Sequence, residues 1–233
     1  MAKFNELLSQ YIGVAFARQL ALADFLNERP WSVDMRQGIC TFGNDLHFPM
    51  QLLGTEAEDS NTWLWAWGNE ASNLPPALLK SCNTLKELGT KLGVSELSQR
   101  SFPLEVADGH SLALIASGMD GQSCYYRGPY NGGALFFLLK DVPAELLCPV
   151  PCERAIRVLG EVISQFEVNH CSMAESFLKS QGFALDASLS KLAASRGRDQ
   201  ISLAFDNLQR ITAIEGNIQP RSNPKPWWQF WKK

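Results

Sequence analysis

A chain of 233 residues, 45% hydrophobic and 19% charged, has the make-up of a folded globule with room for one large or two small domains. Its net charge of −3, with no basic stripe over the region expected to fold, argues against nucleic acid as a partner. Met1 to Leu8 carries Glu6 and lacks the apolar core of a signal peptide, and the longest apolar run, Ala134 to Leu139, falls far short of the ~20 residues that cross a bilayer. A cytoplasmic protein is therefore expected, its cysteines free thiols and mostly buried.

Residues 2–28 carry Phe4, Leu7, Leu8, Tyr11 and Ala15 at helical spacing, with Ile12, Phe16, Leu20 and Ala23 continuing the stripe, and predict a long amphipathic helix that Pro30 ends. The period then changes to two. Trp31–Met35, Ile39–Phe42, Leu46–Leu53 and Thr62–Trp67 read as an antiparallel meander, with turn signals at Arg36-Gln37-Gly38 and Gly43-Asn44-Asp45. Pro75-Pro76 opens a helix through about Leu92, a short helix at 94–99 follows, and His110–Met119 predicts another. Ser123–Arg127 and Ala134–Lys140 are strands joined by a loop at Gly128–Gly133. After a proline-bearing connector at 142–150, Cys152–Val168 and Met173–Ser180 predict helices, with Gly182 as C-cap, and Ile201–Phe205 and Arg210–Ile214 predict a hairpin around Asp206-Asn207. Residues 216–226, with Gly216, Pro220, Pro224 and Pro226, read as a linker.

Three stretches carry a resemblance. They are Gln51-Leu52-Leu53-Gly54-Thr55, then Thr62-Trp63-Leu64-Trp65-Ala66-Trp67 with Asn69, then Tyr125-Tyr126-Arg127-Gly128-Pro129 with Gly132-Gly133-Ala134. Residues 38–140 resemble an uncharacterised bacterial domain family. The resemblance implies a domain of unknown function with no assigned catalytic residues, so it transfers no chemistry.

The candidate sites follow from residue type and spacing. Trp63, Trp65 and Trp67 alternate onto one strand face with Asn69 in phase, which makes either an aromatic floor for a ligand or a core face, the latter favoured because a helix stripe needs a sheet to cover. Tyr126 and Arg127 precede the glycine-rich loop. There Arg127 reads either as a fork for a carboxylate or phosphate or, preferably, as a donor to loop carbonyls. Cys148 and Cys152 with His170 and Cys171 offer zinc-ligand types, but adjacent residues seldom both reach one metal, so no metal and no cofactor are expected. Cys152 at a helix start is read as an inert buried thiol rather than an activated one. Asp108-Gly109-His110 sets a carboxylate beside an imidazole and is read as a helix cap. No HExxH, GxSxG or P-loop pattern occurs, and no catalytic residue is assigned.

The C-terminal tail differs. Trp227, Trp228, Phe230 and Trp231, flanked by Lys225, Lys232 and Lys233, crowd a terminus that is ordinarily polar. They suit a docking element for a protein groove or a membrane surface, the alternative being a tail packed on its own domain or on a second copy in a homodimer.

The expectation is an α+β fold: an antiparallel sheet of about five or six strands packed by helices, with a smaller C-terminal α/β segment. Residues 1–145 form the main domain, 146–216 a helix–helix–hairpin segment, and 217–233 a linker and aromatic tail. The leading function is a non-enzymatic interaction protein that recruits through the tail. The alternatives are a small-molecule-binding or enzymatic domain with a pocket beside the Trp strand, and a toxin-neutralising immunity protein suggested by size, acidity and the lack of catalytic motifs.

Overall fold

A computed structural model describes residues 2–218; the tail positions Trp227, Trp228, Phe230 and Trp231 lie outside the described residues. The N-terminal helix α1 (Ala2–Leu26) buries Phe4, Leu8, Ile12, Ala15, Leu22 and Leu26, as its stripe demands. It stops where Asn27 and Glu28 take left-handed φ values of 46° and 58°, just ahead of Pro30. The meander then forms in order: β1 (Trp31–Asp34), β2 (Ile39–Phe42), β3 (Leu46–Ala57) and β4 (Thr62–Trp65).

Strand β3 is the spine. Its start pairs with β2 and its end with β4, while β7 (Gly133–Leu139) runs beside Met50–Ala57. With β5 (Ser101–Pro103) on the far side of β4 and β6 (Cys124–Tyr130) on β7, the antiparallel sheet has seven strands. Sequence patterning misses β5, which is too short to show a period. It also reads Gly128–Gly133 as a loop. In the structure Gly128 and Pro129 pair with Leu135 and Ala134, and the turn shrinks to Asn131 and Gly132, with Gly132 at φ +89°. Pro129 is tolerated because β6 is an edge strand, where a missing N–H breaks no ladder bond.

The helices sort by face. A single 3-10 turn (Pro76–Leu79) leads into α2 (Lys80–Leu92), and α3 (Ser95–Ser98) follows. Helix α4 (Gly109–Asp120) lies against β3, β6 and β7 and buries Leu112, Ala113, Leu114, Ile115 and Ala116 in one run. Its all-round burial explains why it reads as small and apolar without a polar stripe. It is α4, more than α1, that covers the sheet. Helix α1 lies chiefly on α4 and on α6 beyond. Two glycines permit that approach: a Cβ on Gly118 would sit 2.6 Å from Tyr11 Cβ, and one on Gly13 would sit 2.5 Å from Phe177 Cβ.

The C-terminal segment holds α5 (Cys152–Gln165), α6 (His170–Ser180) and four strands, β8 (Ala184–Ala187), β9 (Lys191–Arg196), β10 (Asp199–Phe205) and β11 (Ile211–Asn217). The strands pair in chain order as an antiparallel sheet of four rather than the expected single hairpin. Helix α6 starts at His170 because the Asn169 side chain accepts from Ser172 N–H. It ends at Gln181 with Gly182 as the left-handed capping glycine just beyond, at φ +78°, its N–H donating to the Lys179 carbonyl while Phe183 N–H donates to that of Leu178. No helix among the described residues is long and apolar enough to cross a membrane.

Candidate functional site

The Trp face is closed. Trp63 and Trp65 are fully buried, edge to face at 5.3 Å, with Phe136 5.6 Å from Trp63. The Trp65 indole N–H donates to the Glu96 carbonyl at 2.9 Å, whereas the Trp63 N–H has no hydrogen-bond partner among the described residues. Trp67 leaves the face the spacing gave it. The β3–β4 ladder stops at Gly54↔Trp65, beside an irregularity in β3, and the chain enters a 3-10 turn at Ala66–Gly68. Trp67 is half-buried there, with the Lys86 ammonium 4.1 Å from its ring centre. Asn69 ends that turn, its N–H donating to the Ala66 carbonyl. The proposed floor of four residues is thus a buried pair and a separate turn.

Tyr126 and Arg127 part in the same way. Register places Arg127 opposite Phe136, on the Trp face, and Tyr126 opposite Phe137, on the other, where it packs tilted against Trp31 and edge-on to Phe42 at 4.8 Å. Because strand pairing consumes the carbonyls of the expected loop, Arg127 turns to Glu56, with Nε 3.9 Å from Oε2. Glu56 also accepts from the Gly109 N–H at 2.7 Å, and Asp108 accepts from the Ser111 N–H at 2.7 Å. Two carboxylates thus serve the N-terminus of α4, where they satisfy orphan donors and meet the positive end of the helix dipole. Asp108 is the cap its position predicts.

Between them stands His110. Its ring lies edge-on to Phe136 at 5.3 Å, and Nδ1 is 3.0 Å from the buried Tyr125 hydroxyl. Desolvation holds its pKa below the ordinary 6.5 against the opposing pull of Asp108 and Glu56, with Arg127 adding to the lowering. His170 behaves alike: desolvation and then Arg210 lower it, Asp206 opposes, and its Nδ1 accepts from the Ile211 N–H at 3.0 Å. An unfolded chain therefore binds protons at these sites more readily than the folded one. Their contribution to stability is fully present above about 6.5 and is lost as pH falls below it. Urea midpoints should fall between pH 7 and 5, and His110→Gln with His170→Gln should flatten that slope. An unchanged slope in the double variant refutes the assignment.

The buried cysteines offer little reactivity. Burial pushes Cys40 up to about 12 and Cys82 and Cys124 up to about 11. Cys152, buried at the start of α5, is likewise raised, by desolvation first and then by Asp199. Cys148 is exposed, Cys171 leans on Glu175, and among the described residues no three His, Cys, Asp or Glu converge in a way that would hold a metal.

A recess that patterning did not reveal lies elsewhere. The outer face of the β8–β11 sheet forms an open trough of about 590 Å³, lined by Ala184, Asp186, Ala193, Ser195, Ser202 and Glu215 among others. At the end of this sheet two turns carry exposed apolar side chains, Leu189 at 91% and Leu208 at 72% exposure, and Gln209 ties the turns together by donating to the Leu189 carbonyl. The only sequence signal was the alternation Leu192, Ala194 and Ile201, Leu203, Phe205, which marks an inner face and so implies an outer one.

Residues 5–142 match a family described as Family of unknown function (DUF6882). That stretch contains the seven-stranded sheet with α1 to α4 and ends before α5. No curated protein and no solved structure matches the chain.

Proposed function

We propose, for a chain that belongs to the Family of unknown function matched over more than half its length, a non-enzymatic role as an interaction protein that recruits through its aromatic tail. One observation carries the reading. Trp63, Trp65, Phe42, Phe136 and Phe137 are each fully buried, and every one of them has an aromatic ring partner among the described residues. The aromatic core of the described residues is thus accounted for by their own rings. Pro220, Pro224 and Pro226 ahead of them favour an extended spacer, and Lys225, Lys232 and Lys233 add positive charge to a chain that is otherwise acidic. A cationic aromatic segment on a spacer fits a protein groove or an anionic lipid surface.

Deleting residues 224–233 should leave the melting temperature nearly unchanged. It should abolish retention of a protein partner in pull-downs, or co-sedimentation with phosphatidylserine vesicles, and the two assays separate the two kinds of surface. A large fall in melting temperature, or loss of a dimer by light scattering, would assign the tail to the fold instead.

A small-molecule or enzymatic site is the second reading. Its one supporting observation is the His110 ring, oriented by Tyr125 and set beside the Glu56–Arg127 pair. A compound that raises the melting temperature of the wild type but not of His110→Gln would favour it.

A further inference from the structure

Strands β8 to β11 bury their inner face and leave their outer face strangely bare. Leu192, Ile201, Leu203 and Phe205 are buried, and α5 lies against β10 and β11. On the outer side the register sets Asp186, Ala193, Ser202 and Glu215 in one row across the sheet, and Ala184, Ser195, Gln200 and Asn217 in the next. Alanine and serine make the floor, and a carboxylate stands on each edge strand. A solvated antiparallel face is well served by long polar or β-branched side chains. Small ones instead leave the trough of about 590 Å³, inside the roughly 300–1,000 Å³ of ligand-sized recesses and suited to large apolar groups from an opposing element.

The chain supplies such groups at the right place. Asn217, the last residue of β11, lines the trough, and the tail continues from there. About ten residues separate Asn217 from Trp227, enough to reach ~30 Å when extended. The sheet is only three strand spacings of ~4.8 Å across. The charges favour it as well: the segment 219–233 holds Arg221, Lys225, Lys232 and Lys233 and no acid, and the trough presents two carboxylates, Asp186 and Glu215, against one cation, Lys191. We propose that the trough seats the aromatic residues of the chain's own tail, so that the segment that recruits a partner is held in reserve until the partner displaces it. This rests on the recruiting-tail reading and adds its regulation. Capture within one chain is favoured over capture by a second copy because a short tether gives an effective concentration on the order of mM.

The test is ¹⁹F NMR of the full chain labelled with 5-fluorotryptophan, the tail signals being assigned by Trp227→Phe, Trp228→Phe and Trp231→Phe. At least one tail signal should lack the solvent isotope shift in D₂O. It should regain that shift in the variant carrying Ala193→Arg and Ser202→Arg, and in 1 M salt, which screens surface charge. Unmoved Trp63 and Trp65 signals certify that the variant is folded. Solvent-exposed tail signals in the wild type overturn the proposal, as does protection that survives in the trough variant. Protection that appears only at the mass of a dimer makes the occupant a second copy and overturns the self-seating form. Loss of partner capture on tail deletion together with exposed tail signals sinks the seat alone and leaves the recruiting tail standing. Protected signals with no capture by any surface do the reverse.

Discussion

Replacing Trp65 by alanine should lower the unfolding free energy by about 3–5 kcal/mol, the range for a large aromatic lost from a core. The residue is fully buried on a strand paired on both sides, its ring meets Trp63 at 5.3 Å, and its indole N–H donates to the Glu96 carbonyl at 2.9 Å. Truncation removes the ring and that donor together. The two tryptophans also predict different responses to phenylalanine. Trp65→Phe loses a hydrogen bond worth about 0.5–1.5 kcal/mol as well as volume. Trp63→Phe loses volume alone, because its N–H has no partner among the described residues. Urea unfolding followed by circular dichroism should rank Trp65→Ala as most damaging, Trp65→Phe next and Trp63→Phe mildest. A Trp65→Ala variant that unfolds like the wild type but loses affinity for a small ligand would make this face a site rather than core.

Much of the first sheet was legible because its strands are half-buried or better and alternate. Trp63 and Trp65 announce their face by spacing alone, and Asp108 announces the start of α4 by its type and place. Trp67 misled because period two holds only while pairing lasts, and the pairing ends at Trp65. The separation of Tyr126 from Arg127 was readable in principle, since neighbours on a strand face opposite ways. Glu56 was not: it meets Gly109 across 53 residues of chain, and nothing local marks it as a helix-capping carboxylate. The trough was hidden for a further reason. Ala184-Leu185-Asp186-Ala187 and Lys191-Leu192-Ala193-Ala194 are poor in β-branched residues, so β8 and β9 form through their neighbours rather than from their own propensity. The alanines that disguise these strands are the ones that leave room on the outer face.

The junction between the two parts of the molecule depends on how closely α1 can lie on α6, and Gly13→Val tests it. A Cβ at position 13 would stand 2.5 Å from Phe177 Cβ and 2.8 Å from Cγ, closer than carbon atoms approach without displacement. Phe177 is 1% exposed and Met173, Ala174 and Leu178 of the same helix are buried with it, so its ring has nowhere to swing. Replacing glycine in a helix ordinarily helps, by about 0.5–1 kcal/mol for alanine. Overpacking a closed core costs about 1–3 kcal/mol or more, and valine adds a branched side chain to the clash, so the loss should win. Gly160 in α5 is the control: a Cβ there meets nothing within 4 Å, so Gly160→Ala should stabilise by about 0.5–1 kcal/mol. If the steric account is right, Phe177→Ala should partly relieve Gly13→Val, making the double variant more stable than the sum of the single losses predicts. In hydrogen exchange, α6 and the strands after it should lose protection before β3 and β7, because α1 lies directly on α6. A Gly13→Val protein with wild-type stability, or strict additivity with Phe177→Ala, would mean that the two helices separate at little cost and that α1 does not couple the sheet domain to the C-terminal segment.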